Sequence, residues 1–348
     1  MRKTTLMLMA CLFVSIMSTA QKKFNVYAVG FYNQENLFDT VHNEGKRDYD
    51  FLPNGIYKWD KLRYTHKLRN MSRALADMGT DVLPGVGCSL IGVSEVEDSM
   101  ALADLVAQEP LKARNFQFVH IEGPDSRGID CALLYNPSLF TPTWSHLYQY
   151  KDEVKGDTAF HTRGYLTVKG ILGGDSVCVI VCHWPSRFNT SPYRETAGRQ
   201  VKKIKDSLLQ ANPDLKVFVM GDMNDDPMNA SMKVGLAAKG DISEVGPNDM
   251  YNPFYAILAK QGTGTLMYNG SWNLFDQIVL SPTLLDKDGK KDFSTLKYWK
   301  KQIFRRDYLF QQTGKYKGAP LRTTAGGVWL DGFSDHLPVV VYLVKEQK

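Results

Sequence analysis

Cysteine is scarce in this chain. Five occur among 348 residues, and no spacing among them resembles a zinc site. Long apolar runs are absent after the N-terminal stretch, so no later segment reads as a membrane span. Neither sign of charge dominates. The formal net charge is +5, or +3 without Arg2 and Lys3, which weakly favours an anionic partner. It lacks the basic excess of a dedicated nucleic-acid binder. No low-complexity linker occurs, and no repeat period argues for a solenoid.

What is present begins with a leader-like segment. Met1-Arg2-Lys3 is basic, Leu6 to Met17 is largely apolar, and Ser18-Thr19-Ala20 fits a signal-peptidase site. Residues 1–20 therefore read as a signal peptide. The apolar part is too short and too weakly flanked for a membrane anchor. A lipoprotein signal at Cys11 would cut that apolar part in half. The expected location is secreted or periplasmic, with an outer-surface lipoprotein as the lesser alternative. Residues 21–348 can hold one large core or two domains. Cys88, Cys131, Cys178 and Cys182 remain, mostly in apolar runs where buried thiols are common. Their even number permits disulfides without establishing any.

Along the chain, strands outnumber helices. Apolar runs predict strands at Phe24–Phe31, Leu90–Val93, Phe116–His120, Ile129–Tyr135, Thr162–Val168, Val177–Cys182, Leu215–Met220, Phe275–Leu280 and Leu337–Val344. Tyr64, Leu68, Met71, Leu75 and Met78 recur at helical spacing, as do Ala197, Val201, Ile204 and Leu208. Asp98 to Val106 reads as a short helix. Lys239 to Gly264 is poorly patterned, and Tyr298 to Tyr316 reads as a basic, aromatic insertion. The mixture suits packed sheets with helices outside, in one domain with inserted loops.

The polar residues share one event. Asn33, Glu95, His183, Asp222, Asn224, Asp335 and His336 each lie at or near the end of an apolar run. Strand ends can meet at one edge of a sheet. The run Leu215 to Met220 breaks at Gly221 and then presents Asp222 and Asn224, which an alternating backbone places on one side. Taken alone, this is equally an ordinary Asp-Asn turn. Gathered with the other strand ends, carboxylates and amides suit a hard divalent cation and a phosphate, with histidines for proton transfer. No serine-centred nucleophile is needed.

The ordered set resembles the endonuclease/exonuclease/phosphatase superfamily, which includes DNase I-like nucleases, sphingomyelinases and inositol phosphatases. The resemblance rests on Asn33, Ser94-Glu95-Val96, His183-Trp184-Pro185-Ser186-Arg187, Gly221-Asp222-Met223-Asn224 and Ser334-Asp335-His336, in that order. Tyr32 to Thr40, Arg127-Gly128-Ile129-Asp130 and Trp272 to Gln277 further resemble a secreted bacterial branch. The match spans nearly all of Gln21 to Leu343. It implies a four-layer α/β/β/α sandwich with two central, mostly antiparallel sheets. It also implies phosphoester hydrolysis with a divalent metal, Mg2+ or else Mn2+ or Ca2+.

The resemblance assigns expected roles. Glu95 is the first metal ligand, with Asn33, Asp335 and Asp222 aiding metal binding. His336 is the general base, oriented by Asp276. His183 faces the scissile phosphate, with Asp130 as its partner. Asn224 and Asp222 position the attacking water, and Arg127, Asn33, Asn224 and His183 contact phosphate. Each residue has a plainer alternative: a turn cap for Asn33, a satisfied core histidine for His183, a loop salt bridge for Arg127. Cys182 stands where related sequences often carry Asn, and Gly87-Cys88-Ser89 replaces a Pro-Asp-like entry. The leading activity is a metal-dependent phosphodiesterase, a nuclease without sequence preference. The alternative is a phosphoesterase acting on phospholipid headgroups, phosphoinositides or small phosphodiesters. Trp184, Tyr193, Trp272 and Lys300 to Arg306 offer stacking and charge to nucleic acid, or simply pack insertions.

Overall fold

The structure is a computed structural model that describes residues 22–156 and 160–347. The expected signal peptide lies outside the described residues. Strand β1 (Phe24–Leu37) leads to helix α1 (Lys61–Asp77) and β2 (Leu90–Val96). Helices α2 (Ser99–Val106) and α3 (Glu109–Lys112) precede β3 (Gln117–His120), β4 (Asp130–Tyr135), β5 (Phe140–Tyr148), β6 (Tyr165–Leu172) and β7 (Asp175–His183). Helix α4 (Ser191–Ala211) joins β7 to β8 (Lys216–Asp222). Short strands β9 (Ala238–Lys239) and β10 (Met250–Tyr251), helix α5 (Tyr255–Gln261) and the hairpin β11 (Leu266–Tyr268) and β12 (Ser271–Asn273) follow. The chain ends with β13 (Asp276–Leu280), β14 (Lys297–Ile303), the small hairpin β15 (Thr324–Ala325) and β16 (Val328–Trp329), and β17 (Val339–Glu346).

Two sheets dominate. Six strands run in the order β14-β17-β1-β2-β4-β3, and seven in the order β5-β6-β7-β8-β13-β10-β9. Most pairs are antiparallel. Each sheet has one central parallel pair, β1–β2 and β7–β8. A parallel pair needs a crossover, and α1 and α4 supply these two. Asp60 caps α1 by accepting the Arg63 N–H at 3.0 Å, and Asp98 caps α2 through the Met100 and Ala101 N–H groups. The periodic face of α1, Tyr64, Leu68, Met71 and Leu75, is buried.

Alternation along β7 and β8 explains the layering. Val177, Val179, Val181, Phe218 and Met220 belong to the core shared with β1 and β2. Cys178, Ile180, Cys182, Val217 and Val219 belong to a second core with Ala197 and Val201 of α4. Each strand is thus apolar on both faces, which is why it reads as a continuous run. The same parity carries His183 and Asp222 onto the face that looks at the other sheet. Gly92 lets the sheets approach: a Cβ there would lie 2.6 Å from the Met220 sulfur. The result is a four-layer sandwich with helices outside, as the sequence resemblance implied.

Two sequence expectations change. Tyr298 to Tyr316 does not form one insertion, because its start lies in β14 at a sheet edge. Trp184 and Tyr193 are buried in the α4 core and cannot stack on a ligand. All four described cysteines are free and buried.

Candidate active site

The parallel pairs deliver their C-terminal ends to one place. In the first sheet Asn33 pairs with Ser94, just before Glu95. In the second His183 pairs with Asp222, and Asp222 lies opposite Asp276 of β13. The exits are conformationally unusual. Glu35, Asn36, Glu95 and Asn224 all have φ between 46° and 60°, a costly region for residues other than glycine. Around Glu95 the β1–β2 and β2–β4 registers slip, and this turns its carboxylate toward the gap between sheets. There its Oε2 accepts the Asn36 N–H at 3.0 Å.

Asp222 is the hub. Its Oδ2 accepts from Asn33 Nδ2 at 3.1 Å, across the gap between the sheets. The same oxygen lies 3.6 Å from His183 Nε2 and 3.8 Å from His336 Nε2. Burial pushes its carboxyl up to about 6; His336 opposes that rise and Asp276 adds to it. Its Oδ1 accepts the Asn224 N–H at 2.9 Å.

His336 is held through Nδ1 by Asp276 Oδ2 at 2.7 Å. Burial lowers the affinity of this ring for protons, but Asp276 and Asp222 outweigh burial and raise its pKa well above the usual value. His183 behaves oppositely. Burial, Arg163 and Arg127 depress its pKa, so the ring is neutral. Its Nε2 lies 3.7 Å from Glu95 Oε1, too far for a hydrogen bond. Its buried Nδ1 has no partner.

Two sets of ligand atoms converge: Glu95, His183 and Asp222, and Asp222, Asp276 and His336, each within 4.8 Å of one another. The first set fits a divalent cation better. Its two carboxylates and imidazole make no direct hydrogen bonds to one another, and two carboxylates converging in a largely buried gap, with only amide donors on them, need positive charge. In the second set the His336 ring is already committed to Asp276, an arrangement suited to proton transfer.

Several expected contacts differ. Asp130 does not touch His183. Its Oδ2 pairs with His120 Nε2 at 3.1 Å and its Oδ1 accepts the Gly123 N–H at 3.0 Å. The reason is lateral: β3 and β4 are hydrogen-bonded neighbours, whereas His183 belongs to the other sheet. Asn33 holds Asp222 with its nitrogen and accepts the Glu35 N–H with its oxygen, which keeps a second lone pair. Asn224 gives its amide to the Trp184 carbonyl at 3.0 Å. Asp335 stands outside both ligand sets and pairs with Arg322 at 3.0 Å. Arg127 is partly exposed beside Asp125. Glu97 turns its carboxylate to the Asp39 N–H.

Sequence reasoning passed over three charged residues. Arg163 is buried against Asp125 and the Trp184 carbonyl, where its charge adds to burial in lowering the pKa of His183. Arg322 links Asp335 to Glu35, and buried Lys67 donates to Thr323 Oγ1 and the Phe333 carbonyl. Burial and Asp335 push Glu35 up to about 7, and burial brings Lys67 down to about 8. This cluster ties the loop before His336 to β1 and α1. No local signal marked them: Lys67 lies among His66, Arg69 and Asn70, Arg163 follows His161 and Thr162, and Arg322 precedes Thr323 and Thr324.

The sequence profile of the endonuclease/exonuclease/phosphatase family matches residues 28–345. The chain belongs to this family. Its fold is shared with an endonuclease/exonuclease/phosphatase family protein from Bacteroides thetaiotaomicron, at TM-score 0.57 and 14% identity, covering 94% of this chain and 100% of that one. A mannosyl-6-phosphatase from the same organism matches at TM-score 0.56 and 14% identity, covering 91% and 99%. D. rerio TDP2 complexed with a single-strand DNA product matches at TM-score 0.53 and 12% identity, covering 91% and 98%. No curated protein matches the sequence. Family membership and the converging ligand sets support metal-dependent phosphoester hydrolysis.

Proposed function

We propose that the protein is a secreted, divalent-metal-dependent phosphodiesterase that cleaves nucleic acid without sequence preference. The carrying observation is the cross-sheet hub, in which Asp222 meets Asn33, His183 and His336 at adjoining strand ends. Glu95, Asp222 and His183 would hold the cation. When bound, Mg2+ or Mn2+ supplies positive charge to the phosphate and to the departing oxygen. His336, oriented by Asp276, takes a proton from the attacking water through Nε2. Asp276, bonded to Nδ1, and nearby Asp222 then stabilise the imidazolium that forms. Arg127, partly exposed beside Asp125, would meet the phosphate from the rim.

A nucleic-acid substrate is supported by the TDP2 relative with its DNA product. An exposed basic, aromatic band supports it too: Trp299 is half-exposed, and Arg305 lies over Trp272 and Phe310. One substrate panel tests the proposal, with and without chelator: DNA, RNA, bis-phosphate esters, inositol phosphates, sugar phosphates and phospholipids. Chelator-sensitive cleavage of DNA or RNA is the expected result. Turnover confined to a lipid or sugar phosphate would remove the nuclease assignment and keep the chemistry.

A further inference from the structure

A recess of about 300 Å³ opens beside the catalytic edge, between the β11–β12 hairpin and the segment from Gln311 to Asp335. It is continuous with the site. Asp335 forms part of its wall, and Leu266 of β11 bridges to the backbone of His336. A group joined to a phosphate at the hub therefore has this recess within reach. Accepting the phosphodiesterase reading above, we infer that the recess receives one unstacked nucleobase of a single-stranded substrate.

The lining decides between occupants. Met267, Ala319, Pro320, Ala325 and Leu330 are apolar. A hexose carries hydroxyls around its whole ring, more than Asn269 and Gln311 can partner, and the apolar walls would strip the rest of water. A nucleobase is flat, has apolar faces and carries only a few polar edge atoms. Tyr268 and Tyr316, 68% and 66% exposed, supply aromatic rings at the recess. Asn269 and Gln311 supply amides for the base edge. Arg322 already pairs with the carboxylates of Glu35 and Asp335, so the recess offers no excess positive charge to a second phosphate. A base in a duplex is stacked and unavailable, so the recess selects single strands or strand ends.

The test compares three oligonucleotides of equal length with the full protein and magnesium: single-stranded oligothymidylate, the same backbone with abasic tetrahydrofuran units, and a duplex. Tyr268→Ala and Tyr268→Phe are assayed beside the wild type. Tyr268 sits exposed in a short hairpin, so its replacement leaves the core intact. The wild type should prefer the base-bearing single strand over the abasic one by about 5- to 100-fold, the range of one stacking platform. It should cleave the duplex more slowly. Tyr268→Ala should bring the base-to-abasic ratio toward one through KM, while Tyr268→Phe keeps it. Equal cleavage of base-bearing and abasic strands, or a ratio unchanged in Tyr268→Ala, overturns the pocket assignment and leaves the nuclease reading standing. Cleavage of no oligonucleotide, with turnover of a sugar phosphate or lipid, overturns both.

Discussion

Asp222 and Asp130 show how much a single carboxylate's role depends on its neighbours. Asp222 lies between two histidines of opposite character: burial pushes the pKa of His183 down, while Asp276 and Asp222 overcome burial and push that of His336 up. Asp130 sits only one sheet away yet serves His120 and a loop amide. Asp130→Asn should therefore behave as a structural change. It should lower stability by about 1–2 kcal/mol, from weakened charge-assisted hydrogen bonds, with a far smaller loss of kcat than His183→Ala. Denaturant melts and steady-state kinetics on both variants check this; equal kcat losses would place Asp130 back in the chemistry. The site residues at strand exits were legible because parity along Val177–His183 and Phe218–Asp222 can be read from the chain. The partner of Asp130 was not, because it depends on which strand lies alongside β4. Lys67 and Arg322 were equally hidden, since Lys67 bonds to Thr323 and Phe333 and Arg322 to Glu35, each more than two hundred positions away.

The same contrast holds for whole elements. Strands buried on both faces, such as β7 and β8, announce themselves as apolar runs. Strand β5 is mostly exposed along its length, and β14 is an edge strand carrying lysines; neither has a pattern that composition alone reveals. At the far end of β7 from the site, Asp175 ties the two sheets together. It accepts the Leu296 N–H and Lys345 Nζ, each at 2.6 Å, and lies 3.5 Å from Lys216 Nζ. Burial would raise its pKa, but the Leu296 N–H, Lys345 and Lys216 outweigh burial and hold it below the ordinary value. A depressed folded-state pKa means the stabilisation is complete above the unfolded value of about 3.9 and is lost as pH falls through the folded value. Asp175→Asn should cost about 2 kcal/mol near neutral pH. The gap between wild type and variant should close below about pH 4, as followed by urea melts at stepped pH. A gap that stays constant down to pH 2 would mean that the charge of Asp175 does not matter.

At the scale of the molecule, the site exists only where the two sheets meet. Neither sheet alone holds both Glu95 and Asp222, so binding of a cation couples the halves of the sandwich. A ligand that binds only the folded state stabilises it by mass action. Added Mg2+ or Mn2+ should raise Tm by a few degrees in the wild type and less in Glu95→Ala, measured by calorimetry in matched buffers. An identical rise in both would detach Glu95 from the cation. The central claim, that this cross-sheet site performs metal-dependent phosphoester hydrolysis, is tested most directly by one kinetic comparison. Wild type, Glu95→Ala and His336→Ala are assayed on the best substrate of the panel with Mg2+ and with chelator, alongside circular dichroism. Losses of at least about 100-fold are expected in both variants and in chelator, with unchanged spectra. Near-wild-type turnover by both variants, or undiminished turnover in chelator, would contradict it.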